Sequence, residues 1–401
     1  MSAGNGRPLA LSRRARRIEV SPTVAVGQRA MALRAQGVSL LDFSVGEPDQ
    51  TTPRPVAQVA AQAVTDGHTR YTPSAGIPEL RAAVAERYLS DFGLAFQPSE
   101  VVVTNGGKHA LYSACQCLLD PGDEVIIPSP FWPTFADAVK LAGGRPVIVK
   151  TREQDCFRLT PALVRKAITK KTKALIVNSP SNPTGAVVAP DDLLALGRLA
   201  KKHSFVLFYD DTYAHLTFDA PSQPLQRLRD EIGDLLVVLG TSSKSYCMTG
   251  WRIGWLLGPK SLADAATALI SHSTQCPNSF AQQGAVAALR GPQQFVKELL
   301  EEYRRRRDFL HAELSAIRGV RCVKPAGSFY VFPNLQSFLG GKVKTTLDLA
   351  RRLLDEQRIA VVPGEGFSAP GYIRISFARS MDELRAGSAR IRGFLEGLEA
   401  K

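Results

Sequence analysis

Residues 240–255 read GTSSKSYCMTGWRIGW. Thr241 and Ser243 can bind a phosphate, and Arg252, eight positions beyond Lys244, can grip one bidentately. The Lys244 amine can attack a carbonyl carbon. A lysine in a polar loop is by itself a solvated charge. The stretch therefore gains meaning only from what the rest of the chain brings to it.

Other chemically capable residues recur in the same setting, just past an apolar run. Gly106, Gly107 and Lys108 follow the run 101–105 and open a helix. Glycines let a backbone approach closely, and a helix N-terminus offers free N–H groups to an anion. The plain alternative is a tight strand–helix turn. SNPTG (181–185) contains two turn dipeptides, yet Asn182 can also donate to a ring hydroxyl or a carboxylate. Asp210 and Asp211 end the run 205–209, and Tyr213 follows. A carboxylate closing a buried strand is costly unless paired, and a protonated ring nitrogen is one natural partner. With Trp132 as an aromatic platform, the set comprises a phosphate cradle, a carboxylate for a ring nitrogen, donors for a ring oxygen and a lysine. Pyridoxal 5'-phosphate (PLP) chemistry asks a protein for these groups.

The elements that must position them are legible. VVVTNGG (101–107), EVIIPSP (124–130), PVIVK (146–150), KALIVNSP (173–180), FVLFYDD (205–211), LLVVLGTSSK (235–244) and GWLLGP are short and apolar throughout. Such runs suit strands buried on both faces of a mostly parallel sheet. Amphipathic helices intervene: 107–119, with Leu111, Ala114, Cys115 and Leu118 on one face, and 160–168, with Thr160 as N-cap and Pro161 in the first turn. The expectation is an α/β doubly wound core that binds its ligand at the carboxyl ends of its strands. Residues 300–401 read as a smaller α+β unit: a long charged helix, AGSFYVF (326–332), a helix over 346–357, IAVVPGEGF (359–367), GYIRISFA (371–378) and a last helix opened by a Ser380–Glu383 capping box. The expected division is 1–45 as an N-terminal arm and part of the small domain, 46–295 as the large cofactor-binding domain, and 296–401 as the small domain. No internal repeat is visible.

Composition bounds the rest. The chain has 401 residues, 44% of them hydrophobic, and a formal net charge of +13. That charge could suit an anionic partner, but Lys and Arg are spread along the chain. The densest run, YRRRRDFL (303–310), lies in a helical pattern, and its arginines are expected mostly to face solvent beside Glu301, Glu302 and Asp308. Neither nucleic acid nor membrane is expected as a partner. The six cysteines form no CxxC pair and no zinc spacing, so they read as reduced thiols of a cytoplasmic protein. No apolar run approaches the roughly 18 residues a membrane span needs. The N-terminus has arginines but no apolar signal region; its acid-poor start, up to Glu19, is a weak likeness to a transit peptide. His68, His109, His203, His215 and His272 show no metal spacing and suit core or surface roles, so no metal is expected, and Met248 and Trp251 suit packing.

GEPD (46–49), YTPSAGIPELR (71–81), NSPSNPTG (178–185) and SKSYCMTGWRIG (243–254) together resemble class I aminotransferases of PLP-dependent fold type I, nearest the bacterial aspartate and aspartate/prephenate branch. The likeness runs from LSRRARRIEVSPTVAV (11–26) to GYIRISFA (371–378). It implies that Lys244 holds PLP as a Schiff base and then moves the substrate Cα proton. Asp210 would keep the pyridine nitrogen protonated, Tyr213 and Asn182 would bond the ring oxygen, and Trp132 would stack on the ring. Arg252, Thr241, Ser243 and the backbone at Gly106, Gly107 and Lys108 would hold the phosphate. Tyr71 would reach that phosphate from a partner subunit, implying a homodimer with shared sites. Arg374 would clamp the substrate α-carboxylate, with Gly46, Trp132 and Asn182 completing the substrate site.

For substrate choice the resemblance points to Lys108, Ser21 and Thr23 as partners of an acidic side chain. One departure stands out: relatives often carry Lys-Pro where this chain has Glu19 and Val20. A carboxylate at Glu19 facing the site would repel a dicarboxylate, and the missing lysine weakens the case for prephenate. The expectation is ping-pong transfer from an acidic L-amino acid, aspartate first, to 2-oxoglutarate. Alternatives are a broad-specificity, aromatic or biosynthetic aminotransferase, or a PLP β-lyase of the same fold. Decarboxylation is disfavoured by Arg374. A transcription-regulator sensing domain is disfavoured because the likeness begins near residue 11, which leaves no room for a DNA-binding module.

Overall fold

The computed structural model describes residues 9–12, 15–17, 22–341 and 343–399, and the side chains of 17, 22–26 and 399 are not described. Glu19, Val20 and Ser21, and the side chain of Thr23, therefore lie outside the described residues.

The strands in chain order are β1 Leu41–Asp42, β2 Val101–Thr104, β3 Glu124–Ser129, β4 Arg145–Lys150, β5 Thr172–Asn178, β6 Val206–Asp210, β7 Leu236–Thr241, β8 Gly254–Leu257, β9 Tyr330–Val331, β10 Ile359–Ala360, β11 Val362–Pro363 and β12 Ile373–Ser376. Seven form the central sheet, in the order β2-β8-β7-β6-β5-β3-β4. The β3–β4, β3–β5, β5–β6 and β6–β7 pairs are parallel. Only β8 runs against its neighbours, antiparallel to both β2 and β7. This is the α/β core expected from the sequence. The strands are apolar throughout because each face is covered: Leu207 and Tyr209 of β6 join one hydrophobic cluster, while Val206 and Phe208 join another on the opposite face.

A separate cluster is built mainly from the C-terminal part and also takes in Phe43, Tyr213, Leu216, Phe218 and Cys247. It packs Tyr330 and Val331 of β9 and Ile373 and Ile375 of β12 against the helices Gln294–Ser315, Thr346–Gln357 and Met381–Glu399. β1 pairs in parallel with β10, which ties the N-terminal segment to this unit. The expected capping box at Ser380 is present: the Ser380 N–H donates to Glu383 and the Glu383 N–H donates to the Ser380 hydroxyl. No helix among the described residues is long and apolar enough to cross a membrane.

Two expectations are corrected. The helix expected over 160–168 is only Pro161–Arg165, and Thr160 makes no side-chain capping bond. The four arginines at 304–307 do not mostly face solvent. Arg306 and Arg307 are buried, at 6% and 1% exposure, because the helix turns them inward onto Asp49 and Asp219.

The reversed direction of β8 is what brings its first residue to the carboxyl ends of β2 and β7, where Gly254 sits opposite both Thr104 and Thr241. A Cβ on Gly254 would lie 2.4 Å from the Gly107 nitrogen and 2.5 Å from the Gly106 carbonyl carbon. Backbone atoms cannot swing aside as a flexible side chain can. We therefore expect Gly254→Ala to destabilise the fold by about 1–3 kcal/mol, read as a lower thermal midpoint; an unchanged midpoint would contradict this packing.

Candidate active site

The carboxyl ends of the strands open onto a cleft of about 460 Å³ that is also walled by β9, β12 and the segment after β1. Lys244 stands three residues past the end of β7, and its Nζ donates to the Gly46 carbonyl at 2.6 Å. Its pKa is pushed down to about 8, first by burial, and then by the charges of Arg374, Arg252 and Lys108 against the opposing pull of Glu47. Cationic neighbours alone would not account for the shift. The enclosure of the amine leads, and it leaves a far larger neutral fraction near neutral pH than an ordinary lysine has.

Asp210 closes β6 from a buried position and accepts from the Thr212 N–H at 3.0 Å. Burial raises its pKa, while the bonds from Thr212 and Asn178 oppose the rise. No cation is among the groups that shift it, so it is a carboxylate without an ionic partner. Asp211 beside it accepts instead from Tyr88 at 2.6 Å, and burial pushes it up to about 8. The hydroxyls of Tyr213 and Tyr330 lie 3.0 Å apart. Asn182, buried, accepts through Oδ1 from Arg374 Nη1 at 3.1 Å.

Two cationic ends frame this floor. At one, Arg252 adopts φ 58° and donates to the Thr249 carbonyl at 2.7 Å and the Asn105 carbonyl at 3.4 Å. Gly106 has φ +84°, and a Cβ there would lie 2.3 Å from Arg252 Nη2, so only glycine lets the guanidinium sit against the start of the helix Gly107–Leu118. The hydroxyls of Thr241 and Ser243 lie 2.8 Å apart on the same side. Lys108 Nζ stands 5.1 Å from the Trp132 ring centroid, and partial burial, followed by the Arg252 charge, lowers its pKa. At the other end Arg374 is buried on β12. It stacks 4.2 Å from the Tyr330 ring centroid and donates Nη2 to the Ser44 carbonyl at 2.6 Å, while its buried Nε has no hydrogen-bond partner.

Gly46, Gly107, Lys108, Trp132, Asn182, Asp210, Tyr213, Thr241, Ser243, Lys244, Arg252 and Arg374 all line the cleft. Gly106 lies just behind Arg252. Tyr71 does not line it and is 83% exposed. Sequence reasoning missed Asn178, Tyr330, Glu47 and Ser44. Asn178 lay inside the quoted NSPSNPTG, and Tyr330 inside AGSFYVF (326–332), a run given no chemical role. Ser44 acts through its carbonyl, which leaves no mark in a sequence. Met248 is fully buried, and the Trp251 ring packs on the core, as expected. Among the described residues no three His, Cys, Asp or Glu side chains converge to hold a metal.

The class I and II aminotransferase family model matches residues 38–391. The aspartate aminotransferase of Geobacillus stearothermophilus is 42% identical over 388 residues, which cover 96% of this chain and 99% of that protein. The aspartate/prephenate aminotransferase of Thermus thermophilus is 44% identical over 383 residues, covering 95% and 97%. Among solved structures, the Thermus thermophilus aspartate aminotransferase with maleate superposes with a TM-score of 0.92 at 41% identity, covering 96% of this chain and 99% of that one. The aspartate aminotransferase of Rhizobium meliloti gives 0.92 at 38% identity, covering 97% and 99%.

The enclosure of Lys244 has a direct chemical readout. In protein stripped of bound small molecules, we expect the acylation rate of Lys244 by an amine-selective reagent to rise with pH through a midpoint near 8, followed by peptide mass spectrometry. A midpoint near the ordinary lysine value of about 10.4 would contradict the electrostatics described above.

Proposed function

The chain belongs to the class I and II aminotransferases, and on that premise we propose that it transfers the amino group of L-aspartate to 2-oxoglutarate, with PLP as its cofactor. One observation carries the reading: a lysine amine with a pKa near 8 is held between an unpaired buried carboxylate, Asp210, and a buried guanidinium, Arg374. The names of the relatives support aspartate as the donor.

The residues fit the cofactor. The Gly106 position that a Cβ would fill, the Arg252 guanidinium and the free N–H groups of the following helix suit a phosphate. Asp210 is a carboxylate whose raised pKa and missing cation suit a protonated pyridine nitrogen. When bound, PLP supplies an aldehyde that takes up the amino group and a ring that spreads the negative charge developing at Cα. Lys244 would hold it covalently through Nζ, and Thr241, Ser243 and Arg252, with the backbone of Gly106, Gly107 and Lys108, would hold its phosphate. Tyr213 and Asn182 would donate to its ring oxygen, and Trp132 would cover its face.

The chain's own groups then divide the work. Arg374 exchanges the Asn182 and Ser44 oxygens for the two oxygens of the substrate α-carboxylate, a fork-to-fork pairing. Gly46 borders the same place. A carboxylate held there is kept from leaving, and the Cα proton becomes the one Lys244 can take and return. Lys108, near Trp132, would meet the distal carboxylate of aspartate. The division into 1–45, 46–295 and 296–401 belongs to the same reading; the cluster built mainly from 296–401 supports it, while also taking in Tyr213, Leu216, Phe218 and Cys247. So does a homodimer: Tyr71, 83% exposed beside the cleft-bearing unit, suits a partner's site. A cytoplasmic location accords with the free cysteines.

The test is the absorbance of the purified protein loaded with PLP. A yellow protein that bleaches with L-aspartate alone and recovers its colour with 2-oxoglutarate is the expected result, whereas pyruvate and ammonia formed without any 2-oxo acid would mean a β-lyase. Lys244→Ala should lower turnover by at least about 10²–10⁴-fold, the scale of a lost general base. Near-normal turnover of that variant would sink the mechanism.

A further inference from the structure

The segment that crosses the cleft has no regular structure between β1 and the helix Arg54–Thr65. Yet it delivers two carbonyls to the centre of the site: Gly46 to Lys244 and Ser44 to Arg374. Past Phe43, whose backbone bonds Ala360 and Ser376, no ladder or helix fixes it, and side-chain tethers take over. On the Lys244 side these are Thr249, whose hydroxyl donates to Glu47 at 2.9 Å, and Thr52, which donates to the Cys247 carbonyl at 2.7 Å. Position 46 has no room for a side chain, since a Cβ there would lie 2.8 Å from the Tyr330 hydroxyl.

The outer tether is charged. Arg306 projects from the helix Gln294–Ser315 with its side chain only 8% exposed. Its Nη1 donates to Asp49 at 2.8 Å and its Nε to Glu302 at 2.7 Å, while the Tyr303 hydroxyl also donates to Asp49, at 3.3 Å. One guanidinium thus spans a carboxylate on its own helix and one at the end of the loop. The contacts use two different nitrogens of the planar guanidinium, a fixed fork that the flexible point charge of a lysine does not offer. Losing Asp49 would leave the buried guanidinium to Glu302 alone, and losing Arg306 would leave Asp49 to the Tyr303 hydroxyl, so either loss frees the loop from its charged anchor.

We propose that Arg306 is a positioning residue for substrate binding: through Asp49 it sets the 44–49 loop, whose Ser44 and Gly46 carbonyls hold the Arg374 guanidinium and the Lys244 amine in place until the substrate carboxylate and the cofactor take them over. This rests on the function proposed above. Arg307, its neighbour, provides the control. It is equally buried but bonds Asp219 at 2.5 Å and the Pro325 carbonyl at 3.2 Å, and does not touch the loop.

The experiment compares Arg306→Met, Asp49→Asn, the double variant and Arg307→Met as PLP-loaded enzymes, by L-aspartate KM and kcat, maleate binding, and hydrogen exchange over 44–52. We expect Arg306→Met and Asp49→Asn each to raise the aspartate KM about tenfold, with a parallel loss of maleate affinity, a much smaller change in kcat and faster exchange over 44–52. The double variant should be no worse than the worse single one, as one shared tether requires. Arg307→Met should lower thermal stability and leave KM and loop exchange unchanged. Unchanged KM in Arg306→Met, multiplicative effects in the double variant, or an equal KM rise in Arg307→Met would each overturn the proposal. If the wild type itself fails to react with L-aspartate, the proposed function falls; the loop tether is then decided by exchange alone, where rates over 44–52 unchanged in Arg306→Met overturn it and faster rates confined to the Arg306 and Asp49 variants sustain it.

Discussion

A primary amine enclosed by protein and crowded by three cations is the constraint around which this molecule is arranged. Burying Lys244 as an ammonium would be costly, and Arg374, Arg252 and Lys108 add repulsion. The Gly46 carbonyl, at 2.6 Å, and the charge of Glu47 offset part of that cost. The balance is an amine able to lose its proton near neutral pH, the condition for a nucleophile and a proton carrier. Every other feature of the cleft either supplies this crowding or uses it.

The sheet makes the crowding possible. Parallel strands deliver Asp210 and Thr241 to one edge. The single reversed strand, β8, starts where those strands end, so the short turn before it places Arg252 against Gly106 rather than on the far side of the sheet. Arg374 arrives from outside that sheet, on β12, whose pairing with β9 also brings Tyr330 under its guanidinium. The cleft is therefore a seam between two hydrophobic clusters. The one irregular segment lying across it, 44–49, owes its place to charged and hydroxyl tethers rather than to regular structure.

The sequence made the core and most of the cleft legible because both carry strong local signals. Strands covered on two faces are apolar at every position, as in Val206 to Tyr209. Residues that line the cleft cluster just past those strands, so Lys244, Asp210 and Asn182 could be named. What escaped had no local signature. Whether an arginine in a helix turns in or out depends on which carboxylates the rest of the fold supplies, so Arg306 and Arg307 read as solvated until Asp49 and Asp219 were seen to face them. Ser44 and Gly46 work through carbonyls, which every residue has. The Lys244 shift also escaped, because its leading cause, enclosure, exists only in three dimensions.

The central claim is that this one lysine, among several in the chain, is the amine built to bind an aldehyde. It is tested most directly by incubating the purified protein with PLP, reducing it with borohydride, and mapping the modified peptide by mass spectrometry. The account predicts stoichiometric labelling at Lys244 and none at Lys108, although Lys108 lines the same cleft. Labelling spread over surface lysines, or centred on Lys108, would contradict it.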